Sequence, residues 1–524
     1  MNEKHEKKPE SIRRLSVIFW LTYFVQKVLS TSEGVSNVPL RKLVKSFGLE
    51  GKEAGQFFTV AGLGWYIKGL LGLLTDRLPI FGYRRKSWLI VSLVGTGVAW
   101  TFVAVGGATS THLLLTALLT VNLLVAFSDV VADGLMIEKG QELESRGIVK
   151  EGTGNRRLQA AQWTGGFSAM LLAAVAGGVI AQIFDLAIAA VISAVLPFGL
   201  ALLVFFFVKE QRVAFDWQKA KLGVLAIGVI AVVSVLVLWI KGMKYGVEAW
   251  QKSLFEWEWL ITPALILGAI LSLYRPGRAM VLPALLIVLW QGNPFGVDSQ
   301  WLYQYFTQDA HNFLEALKSD TGLVPLLQKT VVNLKMTTYE EIAESGVQEM
   351  FFGSVLTPFQ ACFSIIGVFV FGKYWRETPL SKLFIGAIGG VFATTTLFLA
   401  IPALGITSLY YVLAINCAVA FVKAVAFLAI LSYAASVCPK ENQATAFAFL
   451  MGLSNLALNT GSERVGNQLY ALFGDEKLIA DKSVIANPDA GFIGVAICGL
   501  AFLFLVSMFL RFLAKRGYVD AARK

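Results

Sequence analysis

GLLTDRLPIFGYRRK, Gly72 to Lys86, sits between two long apolar runs and holds one acid, four cations, a proline and two glycines. Pro79 and Gly82 suit a tightly folded link. Asp76 is placed to receive an arginine of the same loop or to cap a neighbouring helix N-terminus. The cations hold such a link at a water-facing surface, and by the positive-inside rule that surface is cytoplasmic. The stretch therefore reads as an inner loop joining two membrane spans and a latch at the inner gate; the cations taken alone also serve as a topology signal.

The whole chain supports that solvent. Of its 524 residues 56% are hydrophobic and 15% charged, with mean hydropathy +0.64, whereas soluble domains lie near half apolar and a quarter charged. The opening residues MNEKHEKKPESIRR are too polar for a secretory signal, and no small-residue cleavage site follows them. The N-terminus is expected to be retained and cytoplasmic. The formal net charge of +10 is not a nucleic-acid signal, because the cations cluster in short loops between apolar runs. Cys362, Cys417, Cys438 and Cys498 form no metal-type pair, and His5, His112 and His311 are scattered. There is no Walker, metalloprotease or hydrolase motif. No cofactor is expected, and nothing argues for an enzyme.

Apolar runs of about 20 residues give about fourteen candidate spans: 15–32, 56–74, 88–107, 112–136, 158–183 and 186–208; then 218–241 and 258–274; then 279–306, 346–372, 380–402, 408–436, 443–472 and 490–513. The expected fold is an all-α integral membrane bundle of two six-helix halves plus an inserted two-helix hairpin. Its expected parts are a cytoplasmic tail over 1–14, one half over 15–208, a linker with the hairpin over 209–278, a second half over 279–513 and a cytoplasmic tail over 514–524. An even count keeps most Lys and Arg in inner loops, and a polar outer insertion falls near 307–345. Two similar halves are the usual architecture of secondary transporters, whose sites lie near the midplane between the repeats.

Gly72-x-x-x-Asp76-Arg77, followed by Gly82-Tyr83-Arg84-Arg85-Lys86, resembles the loop between helices two and three of the major facilitator superfamily. The form LPIFGYRRKSW narrows the resemblance to the folate–biopterin transporter family. Other pieces agree in order: Phe24-Val25-Gln26, Trp65-Tyr66-Ile67-Lys68, SDVVADGLMIEKGQ from Ser128, LQAAQWTGGFSA from Leu158, LWQGNPFGVDSQWLYQYF from Leu289 and CPKENQATAFAFLMGLSNL from Cys438. The resemblance covers most of both halves and implies a carrier of folate- or pterin-like organic anions. The chain departs from the family at Gly69, where proline is usual, and at Lys27 and Lys423.

Charged groups inside spans are costly and usually face a cavity or a partner. Lys27 and Lys423 each lie about 18–22 Å into their spans at 1.5 Å per residue, so both sit near mid-bilayer. Facing one cavity they suit an anionic substrate; paired with a buried acid or carbonyl they are structural. Lys68, the cation matched by the resemblance, reads as a cavity contact or gate partner, with snorkelling to the surface as the alternative. Asp129 and Asp133 are four apart and share one helix face. An acid there can carry a proton; the alternative is an ion pair with Arg84, Arg85 or Arg157 across the inner gate, which is favoured for Asp133 and left open for Asp129. Gln291, Asn293 and Pro294 interrupt a span near its middle, where amides can read a pterin edge. Asn455 and Asn459 line the cavity or join helices. Trp65, Trp163 and Trp290 can stack on a flat ring or simply pack. Glu463, Arg464 and Glu33 read as an outer gate or as solvated surface.

The leading expectation is an alternating-access secondary transporter of a folate- or pterin-like anion, with protons as coupling ion and the lipid bilayer as surroundings, in a bacterial inner membrane with both termini cytoplasmic. The alternatives are a muropeptide or nucleoside-like cargo on the same fold, or a membrane-complex assembly factor. An integral membrane enzyme is weakly supported, because no nucleophile–base pair is present.

Overall fold

The computed structural model describes residues 11–49, 54, 57–58, 60–106, 109–183, 186–242, 258–296, 301–302, 305–306, 313, 351–406, 408–479 and 482–516. Almost all are helical, as a bilayer requires of backbone that has no water to bond to. The first group comprises α1 (Ile12–Val28), α2 (Asn37–Ser46), α3 (Lys68–Arg77), α4 (Lys86–Ala104), α5 (Thr111–Ser145), α6 (Gly154–Ile183) and α7 (Leu186–Phe207). Two helices follow, α8 (Trp217–Gly242) and α9 (Glu258–Leu273). The second group comprises α10 (Val281–Gln291), α11 (Thr357–Val370), α12 (Leu380–Leu404), α13 (Leu409–Ser436), α14 (Gln443–Ala457), α15 (Gly466–Phe473) and α16 (Pro488–Lys515). Among the described residues, seven helices are long and apolar enough to cross a membrane by themselves.

Local chemistry sets the ends. Ser11, Ser110 and Ser408 cap α1, α5 and α13, each side chain accepting the backbone N–H three residues on. Pro379 precedes α12, and Gly405 closes it in the left-handed region at φ 60°. The start of α4 is capped from far away in sequence. The Glu210 carboxylate, beyond α7, accepts the backbone N–H groups of Arg84, Arg85 and Lys86 at 2.9, 3.0 and 2.7 Å. Burial pushes the Glu210 carboxyl above its ordinary range, against the pull of those three donors.

The packing repeats itself. α4 lies against α5 and α7; α12 lies in the same way against α13 and α16. Contacts between the first and second groups of helices run mainly through α3 with α14 and through α6 with α11. The α3–α14 crossing is close because residue 72 is glycine: a Cβ there would sit 2.7 Å from the Ala444 carbonyl oxygen. Gly165 plays the same part between α6 and α1, with Trp20 O 2.1 Å from the Cβ it lacks. α8 and α9 pack on each other, and α8 rests on α3. The outer faces of α7 and α8 expose Val195, Leu202, Phe206, Val232 and Val235, the pattern of helices solvated by lipid.

Several features depart from the expected run of plain helices. The expected span over 279–306 breaks after α10. Asn293 turns the chain, its side-chain oxygen accepting Phe295 N–H at 3.1 Å, and Gly296 N–H bonds Asn293 O at 2.8 Å. Phe351–Leu356, Phe371–Trp375 and Leu458–Val465 are π-helical. The short amphipathic α2 and an antiparallel strand pair, β1 (Glu476–Ile479) with β2 (Lys482–Ile485), were not expected. Apart from Phe313, the expected insertion over 307–345 lies outside the described residues, as do most of the two terminal tails.

Candidate functional site

A cavity of about 470 Å³ opens between α1, α3, α5 and α6 on one side and α10, α13 and α14 on the other. Two ion pairs with different surroundings line it. Lys68, at the start of α3, meets the Asp129 carboxylate at 2.5 Å, with side chains only 6% and 11% exposed. The Lys68 ammonium also lies 4.3 Å from the centre of the Trp65 ring. Lys27, in the last turn of α1, pairs with Glu33 just beyond that helix, and both are more open to solvent.

One turn from Asp129, Asp133 has neutral partners. Tyr23 donates to it at 2.5 Å and Gln162 at 3.5 Å. Gln26 donates to Ser128 at 3.0 Å; its other amide atom is buried without a partner. Across the cavity, Asn455 donates to the Trp65 carbonyl at 3.2 Å and Asn459 to Glu463 at 3.0 Å. Gln291 donates to Ser454 at 3.0 Å. The π-helical turn over Leu458–Val465 places Asn459 and Glu463 on the cavity wall together. Tyr23, Trp65, Tyr66 and Trp163 add flat aromatic surface.

A second cavity of about 410 Å³ adjoins the first, sharing Glu33, Gln291 and Phe427 with it. Lys423 and Asn293 border only this one, and the Lys423 ammonium donates to Gly296 O at 2.6 Å. Lys27 thus borders the first of these adjoining cavities and Lys423 the second, where the chain reversal at Asn293 supplies Lys423 with a carbonyl. Trp290 borders that chamber too.

At one end of the bundle the stretch Gly72–Lys86 ties α3 to α14. The Asp76 carboxylate pairs with Arg85 and, at 3.2 Å, with Arg84. Its other oxygen accepts the Thr445 N–H at 2.8 Å and the Thr445 hydroxyl at 2.6 Å, at the N-terminus of α14. Arg85 also reaches Glu138 at 3.0 Å and Thr75 at 2.7 Å. More links between the first and second groups of helices gather at this cation-rich end. Arg84 donates to Glu441 O, Gln443 to Gln141, Lys150 pairs with Glu377, and Arg156 donates to the carbonyls of Arg376 and Thr378. Lys150 holds the exposed Glu377 carboxyl below its usual range. Deeper in, Ser432 donates to Gln159, which donates to Leu431 O.

Two expected pairings change here. Asp133 is not ion-paired with Arg84, Arg85 or Arg157: Asp76 and Glu138 take Arg84 and Arg85, Arg157 makes no ion pair among the described residues, and α1 brings Tyr23 to Asp133 instead. The buried arginine of the adjacent pair is Arg156; Arg157 is only half-buried, and its Nε has no partner. Glu463 turns into the cavity, whereas Arg464 is exposed. Tyr23, Glu138, Arg156, Gln162 and Thr445 were not singled out in advance. All but Tyr23 and Arg156 lie within the quoted motif stretches, so the signal was present without a role attached.

Comparison with known proteins gives these elements a lineage. The model of the BT1 family matches residues 38–514. A folate-biopterin transporter of Synechocystis sp. is 24% identical over 442 residues, 83% of this chain and 70% of that protein. Among solved structures, the human organic anion transporter MFSD10 (TETRAN) superposes with TM-score 0.53 at 13% identity, covering 95% of this chain and 100% of that one. The proton:xylose symporter XylE, bound to 6-bromo-6-deoxy-D-glucose, superposes with TM-score 0.54 at 13% identity, covering 95% and 96%. At such identities the structural likeness shows the fold, that of major facilitator transporters. With its membrane-spanning helices, its major facilitator fold and a family match over most of its length, the chain belongs to the BT1 family.

Proposed function

We propose that this protein is a proton-coupled secondary transporter of a folate- or pterin-like organic anion, working by alternating access between an N-terminal half, 15–208, and a C-terminal half, 279–513. The observation that carries the reading is the main cavity, lined by both groups of helices, together with the Asp76–Arg85–Thr445 cluster that joins the two groups at the cation-rich end. In the reading, that end faces the cytoplasm and the state is outward-facing, in a bacterial inner membrane with both termini inside. The aromatic walls take the flat ring, and the amides of Gln291, Asn455 and Asn459 meet its donor and acceptor edge. Lys68 and Lys27 supply positive charge for carboxylates, and Lys423 does so in the adjoining chamber. Asn293 shapes that chamber through its turn. α8 and α9 form a spacer hairpin outside the cycle.

Asp129 is engaged by Lys68, which leaves Asp133 and Glu463 as the cavity acids with neutral partners among the described residues. Asp133 is the proposed proton carrier. Its surroundings include the charges of Asp129 and Lys68, the phenol of Tyr23 and the amide of Gln162. Binding a proton cancels its charge, and releasing the proton on the opposite side returns the carrier. Asp76, Arg84 and Arg85 form the gate, and Arg157 takes no part in its ion pairs.

The test is uptake of labelled folate into proteoliposomes holding the purified protein, with and without an inward proton gradient. Saturable uptake stimulated severalfold by the gradient is expected. Asp133→Asn is expected to remove the stimulation while sparing folate–folate counterflow. Absence of folate uptake by the wild type would end the folate reading; equal loss of both modes in the variant would reduce Asp133 to a structural role.

A further inference from the structure

Resting on that transport reading, we propose that Glu33 occupies the place of a ligand carboxylate on Lys27, and that a carboxylate-bearing substrate enters by displacing it. The two ion pairs of the main cavity make the contrast that supports this. Lys68 and Asp129 are deeply buried, so separating that pair costs more than separating a more open one. Lys27 and Glu33 are 22% and 39% exposed at the cavity wall. A Glu33 freed from Lys27 is already beside solvent.

The backbone permits the movement. Lys27 is fixed in the last turn of α1, with its ammonium 5.6 Å from the centre of the Trp163 ring. Glu33 belongs to the turn between α1 and α2, where its N–H donates to Ser30 Oγ at 3.2 Å. Glu33 also borders both chambers, so either can receive its side chain. The cation stays on its helix while the acid, on a turn, is free to change side-chain rotamer.

The electrostatics favour exchange over addition. Replacing one carboxylate by another leaves the charge around Lys27 unchanged, and the freed Glu33, already partly exposed, is left to solvent. The cost is competition. A tethered carboxylate six residues away has a local concentration in about the millimolar range or above, and a free ligand must outcompete it. The device therefore selects for ligands that combine a carboxylate with a flat ring able to stack near Trp163. A carboxylate alone gains too little, and a ring alone leaves the internal pair intact.

The experiment measures dissociation constants of folate and biopterin for the purified full-length protein by calorimetry. Biopterin serves as the ring without a carboxylate. Glu33→Gln is expected to tighten folate about tenfold and leave biopterin unchanged. Lys27→Gln is expected to weaken folate about tenfold, and adding Glu33→Gln to it is expected to bring no further gain. Glu33→Asp, which draws the acid back by one methylene, is expected to give a smaller gain and stands in should the glutamine variant not fold. Unchanged or weaker folate binding in the Glu33 variants, or equal gains for both compounds, would overturn the exchange. Should the wild type bind neither compound, the folate reading falls. The same variants are then compared on aryl carboxylates and their carboxamides: a gain confined to the acids upholds the exchange, and equal constants overturn it.

Discussion

Replacing Arg85 by methionine is expected to lower the stability of the protein by about 3 kcal/mol, the lower end of the range for breaking a buried ion pair from one side, and to open the cation-rich end of the bundle. The Arg85 side chain is fully buried and serves Asp76, Glu138 and Thr75 together. Without it, the buried Asp76 keeps only Arg84 as a cation, and Glu138 loses the one ion pair it makes there. The variant keeps the apolar stem and removes the guanidinium, so the loss reports mainly the charge and donors of the cluster. Asp76 is also what holds the N-terminus of α14 against α3, and weakening it loosens the crossing that Gly72 makes close. Cys438 provides the readout, since it is buried beside this cluster with its thiol on Ala434 O. Thiol-reagent labelling at Cys438 is expected to rise in Arg85→Met along with a fall in thermal stability in detergent. Arg84→Met, at a partly exposed site, is expected to cost about 1 kcal/mol or less. If both variants unfold alike, or labelling is unchanged, Arg85 is not the keystone of that end.

How far the sequence reaches can be judged from the same residues. Composition and the link from Gly72 to Lys86 lead to the membrane bundle, because span length and loop charge are one-dimensional properties of the chain. The link also names Asp76 and its arginines, since its glycine, proline and charges allow few arrangements. Pairing inside the bundle is another matter. Asp129 and Asp133 share a helix face at identical spacing, and only the placement of α1 and α3 decides that Lys68 meets the first and Tyr23 the second. Lys27 looks unpartnered because Glu33 lies past the helix end, at a separation no helical period connects. Arg156 and Arg157 differ by one step of about 100° around a helix, and the partners of Arg156 are backbone carbonyls, which no side-chain pattern reveals. The reversal at Asn293 is announced by the Gly292-Asn293-Pro294 run, but not the carbonyl it supplies to Lys423. The π-helical turn that carries Asn459 and Glu463 leaves no recognisable mark in the sequence.

Lys68→Met is expected to abolish folate uptake and to destabilise the protein by about 3–5 kcal/mol, because it strands Asp129 in a site that offers that carboxylate no other cation among the described residues. The two losses have different causes, and a second substitution separates them. Lys68→Met combined with Asp129→Asn removes both charges, so no ion is left alone, and its stability is expected to return to within about 1 kcal/mol of the wild type. Transport is not expected to return, since the double variant has no cation facing Trp65 to receive a substrate carboxylate. Lys68→Arg tests the geometry: it keeps the charge, but its planar fork does not reproduce the point contact of an ammonium wedged between a carboxylate and an indole ring, and slow uptake at near-normal stability is expected. Thermal unfolding of the purified variants and folate counterflow in proteoliposomes supply both readings. Recovery of transport in the double variant would show that the pair serves only the fold, and would move substrate recognition to Lys27 and Lys423. Persistent loss with restored stability would place Lys68 among the groups that meet the substrate. The pair would then be one that the cycle must break and remake.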